Sequence, residues 1–128
     1  MNIAAWLAIV QALAQAYATS AGHPEWSDAF ARAAIAIAGG ESGLGQNNHG
    51  DNGLSKGVYQ LYFGKGSADA SGRKRGLTQS EVLVPELNVQ ASMPELWQGF
   101  LTAGGGNAFA QNPQGAARRM WGAAQRPD

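Results

Sequence analysis

The chain has 128 residues, which suits one domain with a core of its own, and no internal repeat or linker divides residues 1–128. Nine basic and nine acidic residues give a formal net charge of zero, so the composition offers no electrostatic basis for binding nucleic acid. The absence of cysteine excludes disulfides, a thiol nucleophile and a cysteine-ligated zinc site.

Residues 1–24 carry no charged side chain, so a packing helix, a signal peptide and a membrane span all have to be considered. A signal peptide needs a basic segment before its apolar run, and none is present. A span needs about 20 mostly apolar residues, whereas glutamine, threonine and serine interrupt this run. We therefore expect an alanine-rich packing helix and no membrane partner. Its apolar positions recur at Ile3, Leu7, Val10, Ala14 and Tyr17.

A second helix is predicted to begin near Ser27, a suitable N-cap residue, with Asp28 in its first turn. Its alanines would let neighbouring helices approach closely, so we expect it to be the central helix. The pair of glycines at 39–40 is expected to end the helix just before Glu41. The apolar face of this helix is formed by Phe30, Ala33, Ala34, Ile37 and Ala38.

Glu41 is a single carboxylate at the end of this apolar helix. Carboxylates are almost never fully buried unless they are paired or used, and apolar surroundings raise the pKa of a carboxyl group because desolvation disfavours its charged form. A glutamic acid that stays protonated near neutral pH can act as a general acid, which the cleavage of a glycosidic bond requires. The alternative is that Glu41 is a solvated residue in a helix-terminal loop.

Residues 50–53 read Gly-Asp-Asn-Gly, and Asn-Gly is the strongest short signal for a β-hairpin. We predict a hairpin over residues 46–57 that forms a cleft with Glu41 on its wall. Asp51 could orient or become the nucleophile of a glycosidase that acts by direct hydrolysis, or it could only initiate the turn. His49 is predicted to be an isolated loop histidine, because no metal-ligand spacing surrounds it. No metal and no cofactor are expected.

The segment after the hairpin contains Tyr59, Gln60 and Tyr62. The amide of Gln60 can bond an N-acetyl group or a sugar hydroxyl, and a tyrosine ring offers a face on which a pyranose could lie. In an extended segment, Tyr59 and Leu61 point one way while Gln60 and Tyr62 point the other. We predict that Gln60 and Tyr62 line the cleft; the alternative is that the tyrosines pack in the core.

The basic run at 73–75 is interpreted as part of a solvated loop at the lip of the cleft. Residues 78–81, Thr-Gln-Ser-Glu, have the spacing of a capping box and predict a short helix to Leu83. Pro85 should begin the next helix, because its missing N–H costs nothing in the first turn. Pro94 should kink that helix or restart it, with Ser92 as a possible new cap.

The C-terminal third is predicted to contain core residues, a connecting segment and a last helix. Trp97, Phe100 and Leu101 are expected in the core, and the three glycines at 104–106 are expected to form a flexible connection. Residues 112–113, Asn-Pro, predict the start of a last helix that runs to about Ala124. We expect Trp121 on that helix to pack, although it could reach a sugar cleft.

Three blocks in the same order resemble the core of the lysozyme-like lytic transglycosylases and goose-type lysozymes, over residues 33–96. They are Glu-Ser-Gly at 41–43, then Gly-Asp-Asn-Gly at 50–53 with Gly-Val-Tyr-Gln-Leu at 57–61, and Val-Pro-Glu-Leu-Asn-Val-Gln-Ala at 84–91. The chain departs from the family at Val58, where leucine is usual, and at Val84, where aspartate is usual. The family's late tyrosine has no counterpart, because Tyr62 is the last tyrosine.

The resemblance implies an α+β, predominantly α-helical, lysozyme-like fold with a small β-hairpin subdomain. It implies a monomer that binds a peptidoglycan glycan strand and cleaves the β-1,4 bond between N-acetylmuramic acid and N-acetylglucosamine, with Glu41 as the general acid. Lytic transglycosylation, hydrolysis assisted by Asp51 and a non-catalytic wall-binding module on the same fold stay open. The substrate-binding candidates are Ser42, Asp51, Tyr59, Gln60, Tyr62 and Asn88. Such a protein would act in the periplasm or at the cell wall, delivered by export, a phage particle or a lysis system.

Overall fold

A computed structural model of the chain describes residues 3–45, 49–66, 69 and 72–125. The described residues are predominantly helical, at 70% helix, with a small antiparallel sheet, which confirms the predicted α+β, mostly α class. Within the described residues, the six α-helices are α1 (Ile3–Ser20), α2 (Ser27–Ser42), α3 (Gln79–Val82), α4 (Pro85–Thr102), α5 (Gly105–Gln111) and α6 (Pro113–Gln125). The strands are β1 (His49–Gly50), β2 (Ser55–Lys56) and β3 (Leu61–Tyr62).

Helix α1 packs against α2 and α4 through one face. Its fully buried residues are Trp6, Val10, Ala14 and Ala18, of which Val10 and Ala14 were predicted. Ile3, Leu7 and Tyr17 are half-buried and pack at the edge of the same core. By length and composition α1 could cross a membrane, a criterion that core helices and N-terminal signal sequences also meet.

Helix α2 differs from its prediction at both ends. Ser27 is the first helical residue rather than the cap, and Trp26 at the N-cap position provides no side-chain hydrogen bond. The helix does not stop at Gly39–Gly40 but continues to Ser42, because the burial of Ala34, Ile37 and Ala38 outweighs the weak helix propensity of glycine. The left-handed φ of Gly43 ends it, so Glu41 lies in the last helical turn.

The sheet has the order β1-β2-β3, and both pairs are antiparallel. The predicted hairpin is confirmed for its described part, with His49 opposite Lys56, while residues 46–48 lie outside the described residues. A short 3₁₀ turn, Asp51–Gly53, connects β1 to β2. Residues 57–60 form a turn rather than an extended segment, since the Gln60 N–H donates to the Gly57 carbonyl oxygen at 3.1 Å.

Helix α3 begins with the predicted capping box, in which Thr78 and Glu81 each bond the other's backbone N–H. Helix α4 begins at Pro85 as predicted, but it runs through Pro94 without interruption, and Ser92 is buried in it rather than acting as a cap. Helix α4 packs chiefly against α6 and α1 and only slightly against α2, so α4 takes the central position predicted for α2.

The C-terminal part contains one helix that the sequence did not predict. Gly105 and Gly106 begin α5 instead of forming a flexible connection, and their lack of side chains lets the ring of Trp26 lie against the backbone. Trp97 and Phe100 are core residues as predicted, whereas Leu101 is exposed because it lies on the outer face of α4. The start of α6 is confirmed, with the Asn112 side chain accepting from the Gly115 N–H at 3.1 Å.

Candidate active-site cleft

Glu41 lies in the wall of a cleft formed where the end of α2 meets the small sheet and the end of α6. The cleft has a volume of about 540 Å³, comparable to other small-molecule sites. Its lining is mostly polar and charged. It consists of Glu41, Gly50, Asp51, Ser55, Gln60, Tyr62, Asp69, Arg73 and Gln125.

The Glu41 side chain is half-buried, and its pKa is raised above the ordinary value of a glutamic acid. Burial is the largest cause, because it removes water from the charged form; the positive charge of Arg73 opposes the shift, and the negative charge of Asp51 adds to it. Within the part of the chain that the structure describes, the carboxylate has no hydrogen bond or ion pair. The group is therefore able to carry a transferable proton at a higher pH than an exposed glutamate.

Asp51 is exposed at the start of the 3₁₀ turn and lines the same cleft. Its backbone has a left-handed φ of 50°, a conformation that aspartate adopts more readily than most residues other than glycine. The carboxylate accepts a hydrogen bond from the hydroxyl of Ser55, and its backbone carbonyl accepts from the Leu54 N–H at 3.2 Å. Asp51 therefore belongs to both the turn and the cleft.

Gln60 and Tyr62 line the cleft, whereas Tyr59 does not. This agrees with the predicted pair of cleft residues. The backbone differs from the prediction, because Gln60 lies in a turn with a φ of 50° and not in an extended strand. Tyr59 is fully buried, and its hydroxyl donates to the Ala34 carbonyl oxygen at 2.8 Å. A substrate-binding role for Tyr59 is contradicted, since no ligand can reach a side chain with no exposed surface.

Ser42 and Asn88 are buried and lie outside the cleft lining. The Ser42 hydroxyl donates to the Val58 carbonyl oxygen at 2.6 Å and accepts from the Gly45 N–H at 2.8 Å. Direct substrate contact by either residue is contradicted by this burial. Ser42 instead joins the end of α2 to the segment that carries Gln60, which explains why a serine directly follows Glu41.

Arg73, Asp69 and Gln125 also line the cleft, and the sequence analysis missed all three. Arg73 was interpreted as part of a solvated loop, but it is buried, with its guanidinium 4.7 Å from the ring centre of Trp121. No pattern in the sequence could have indicated this, because Trp121 is distant along the chain. Trp121 packs, as predicted, against Arg73 and near Tyr59.

His49 is exposed beside the cleft, on β1. The described residues include no group of three or more histidine, aspartate or glutamate side chains placed to hold a metal ion.

Comparison of the chain with protein-family models, with curated proteins and with solved structures found no match. The described lining of the cleft holds carboxylates, amides, hydroxyls and a guanidinium. Among these residues, Glu41 is the group whose surroundings most favour proton transfer.

Proposed function

We propose that the protein is a peptidoglycan lytic transglycosylase that cleaves the β-1,4 bond between N-acetylmuramic acid and N-acetylglucosamine. The observation that carries the proposal is the position of Glu41, half-buried in the wall of a polar cleft, with a pKa raised by burial. The Glu-Ser pair at the end of a helix and the Gly-x-Tyr-Gln segment beyond a small hairpin support it, because both match the resembled family in order.

In the proposed reaction, the Glu41 carboxyl group donates its proton to the glycosidic oxygen as the bond to the anomeric carbon breaks. The resulting carboxylate then accepts the proton of the muramic acid 6-hydroxyl, whose oxygen attacks the same anomeric carbon. The products are a free sugar hydroxyl and a 1,6-anhydro end, so atoms and protons balance without water. Intramolecular attack has a high effective molarity, so one carboxyl group is sufficient.

Gln60 and Tyr62 are the proposed sugar-binding residues. Gln60 lies in the same cleft as Glu41, and its amide suits N-acetyl groups and hydroxyls. Tyr62 is 38% exposed, which leaves part of its ring accessible to a sugar face. Asp69 and Arg73 form a buried ion pair in the same cleft.

Hydrolysis is the second candidate, and Asp51 favours it. Asp51 lines the same cleft, and its charge contributes to the raised pKa of Glu41, so the two carboxylates act on one site. A water held by Asp51 would then attack the anomeric carbon and leave a reducing end. A non-catalytic wall-binding module is the remaining alternative on the same cleft.

The proposed partner is a peptidoglycan glycan strand, bound by a monomer. The proposed place of action is the periplasm or the cell wall, reached by export, by a phage particle or by a lysis system. Either cleavage reaction would make the protein bacteriolytic.

The experiment compares wild-type protein with Glu41→Gln on purified sacculi. Glutamine is nearly isosteric but cannot donate a carboxylic acid proton, so we expect lysis to fall by about a hundred- to ten-thousandfold while sacculus binding is retained. Glu86→Gln, on α4 and outside the cleft lining, is the matched control and should lyse normally. Equal lysis by Glu41→Gln would overturn the proposal, and binding without lysis by the wild type would support the binding module.

Mass analysis of the soluble muropeptides separates the two reactions. Anhydro ends that persist in Asp51→Asn indicate transglycosylation. Reducing ends that are lost in the same variant indicate hydrolysis with Asp51 as the water-orienting residue.

A further inference from the structure

The Arg73 guanidinium is held by contacts from three directions. Nη2 lies 3.6 Å from the Asp69 carboxylate, Nη1 donates to the Tyr59 carbonyl oxygen at 3.3 Å, and the Trp121 ring faces the guanidinium at 4.7 Å. The side chains of Arg73 and Asp69 are only 5% and 4% exposed. The backbone N–H of Arg73 also donates to Asp69, at 3.3 Å. Asp69 therefore contacts both the guanidinium and the backbone N–H of Arg73, and both side chains are largely shielded from solvent.

Arg73 and Glu41 line the same cleft, yet Arg73 pairs with Asp69, and the Glu41 carboxylate has no ion pair among the described residues. A bidentate arginine–carboxylate pair is among the strongest side-chain interactions, and it favours the ionised carboxylate. A direct pair with Arg73 would therefore remove the proton that Glu41 needs. Because Arg73 and Glu41 lie in one cleft, another interaction must hold the guanidinium away from the Glu41 carboxyl group.

We propose that Asp69 acts as a competing carboxylate, which holds Arg73 against Tyr59 and Trp121 and so prevents it from pairing with Glu41. Asp69 and Arg73 are positioning residues in this arrangement, and neither donates a proton. The inference rests on the proposed function only for its consequence in catalysis, because the effect on Glu41 can be measured without a substrate.

Among the described residues, the other charged groups of the cleft come from two elements. The 3₁₀ turn presents Asp51, and the segment between β3 and α3 presents Asp69 and Arg73, while the end of α6 presents the neutral Gln125. Arg73 lowers the pKa of Glu41 and Asp51 raises it. Removing the cation should therefore raise the Glu41 titration midpoint, and releasing the cation from Asp69 should lower it.

The test titrates the Glu41 carboxyl carbon by NMR in otherwise identical full-length proteins. In Asp69→Asn, Arg73 loses its anionic partner and can turn toward Glu41, so the midpoint should move to lower pH. In the double variant Asp69→Asn/Arg73→Met, the described lining of the cleft keeps no cation, so the midpoint should move above that of the wild type. Each pH unit of displacement changes the ratio of protonated to ionised Glu41 about tenfold.

The cation is removed in the double variant and not in Arg73→Met alone, because replacing both members of a buried pair is tolerated better than leaving one charge unpaired. Arg119→Met, on the exposed face of α6, is the matched control and should leave the Glu41 midpoint unchanged. Arg73→Lys retains a cation and should stay close to the wild type.

The pH profile of sacculus lysis gives a second readout. Its alkaline limb should move with the Glu41 midpoint, downward in Asp69→Asn and upward in the double variant. Midpoints that stay constant, or that move in the same direction in both variants, would overturn the role of Asp69. Opposite shifts without any lysis by the wild type would retain this inference and refute the proposed function.

Discussion

The Asn88 side chain on α4 accepts a hydrogen bond from the Tyr59 N–H at 2.9 Å and so ties the cleft segment to the helical core. Its amide nitrogen donates to the Val82 and Lys56 carbonyl oxygens, at 3.0 and 3.2 Å. One buried amide thus joins α3, α4, β2 and the turn that carries Gln60. Gly57 makes room for it, since a Cβ there would come within 2.3 Å of the Asn88 nitrogen.

Asn88→Ala should therefore destabilise the protein by about 3 kcal/mol, because several buried backbone groups lose their partner at once. The free energy of unfolding from urea titration measures this. Gln90→Ala, exposed on the same helix, is the control and should change stability by less than about 0.5 kcal/mol. Equal stability of the two variants would show that Asn88 does not join these segments.

Gly99 marks the closest approach of α4 to α6. A Cβ at this position would lie 2.3 Å from the Met120 carbonyl oxygen and 3.0 Å from the Ala124 nitrogen, both of which are backbone atoms. We expect Gly99→Ala to cost about 2–3 kcal/mol of unfolding free energy, since the helices must move apart.

Gly122→Ala is the matched control for this prediction. A Cβ at Gly122 meets nothing within 4 Å, so the substitution should stabilise α6 by about 0.5–1 kcal/mol through helix propensity alone. The two variants should therefore shift the urea midpoint in opposite directions. A stabilising Gly99→Ala would contradict the packing of α4 on α6.

The raised pKa of Glu41 also predicts how stability depends on pH. Its folded-state pKa lies above the unfolded value, so the folded protein binds more protons between the two values and stability falls as pH rises through that window. Above the folded-state pKa, ionised Glu41 opposes folding, so Glu41→Gln should be more stable than the wild type near neutral pH.

This difference should diminish as pH falls below the unfolded pKa, where Glu41 is protonated in both states. Urea unfolding of both proteins over a series of pH values measures it. A glutamine variant that is less stable at neutral pH would mean that Glu41 is stabilised in its charged form, which would also count against its role as an acid.

Tyr62 and Tyr59 provide a test of which tyrosine meets a ligand. In a Glu41→Gln background that prevents cleavage, Tyr62→Ala should weaken binding to soluble peptidoglycan fragments about tenfold, which corresponds to about 1.4 kcal/mol. Tyr59→Phe should leave binding unchanged, because the hydroxyl it removes is bonded to Ala34 inside the protein. Calorimetric titration of both variants checks this, and a binding defect confined to Tyr59→Phe would reverse the assignment.

Local patterns in the sequence were sufficient for much of the helical framework. The capping box at Thr78, the proline at 85 and the start of α6 after Asn112 act within one helical turn, and the structure contains each of them. The hairpin turn at 51–53 is similarly local. These features depend on interactions between residues a few positions apart, so they can be predicted from the sequence.

The ends of α2, the unbroken path of α4 through Pro94 and the formation of α5 were decided by tertiary packing. Burial against another helix or ring outweighs the tendency of glycine or proline to end a helix. The Trp26 ring, for example, packs against the backbone at Gly106 in α5. Sequence patterns cannot weigh such contacts, because the partners lie far apart along the chain.

The same division holds within the cleft. The sequence alone indicated Glu41 as the carboxylate to examine and predicted that Gln60 and Tyr62 line a cleft, although it kept Tyr59 among the substrate-binding candidates. Only the tertiary structure placed Ser42 and Asn88 inside the protein and brought Asp69 and Arg73 to the cleft. Burial and charge pairing depend on the whole fold, since they are set by atoms that meet only when the helices and the small sheet have packed.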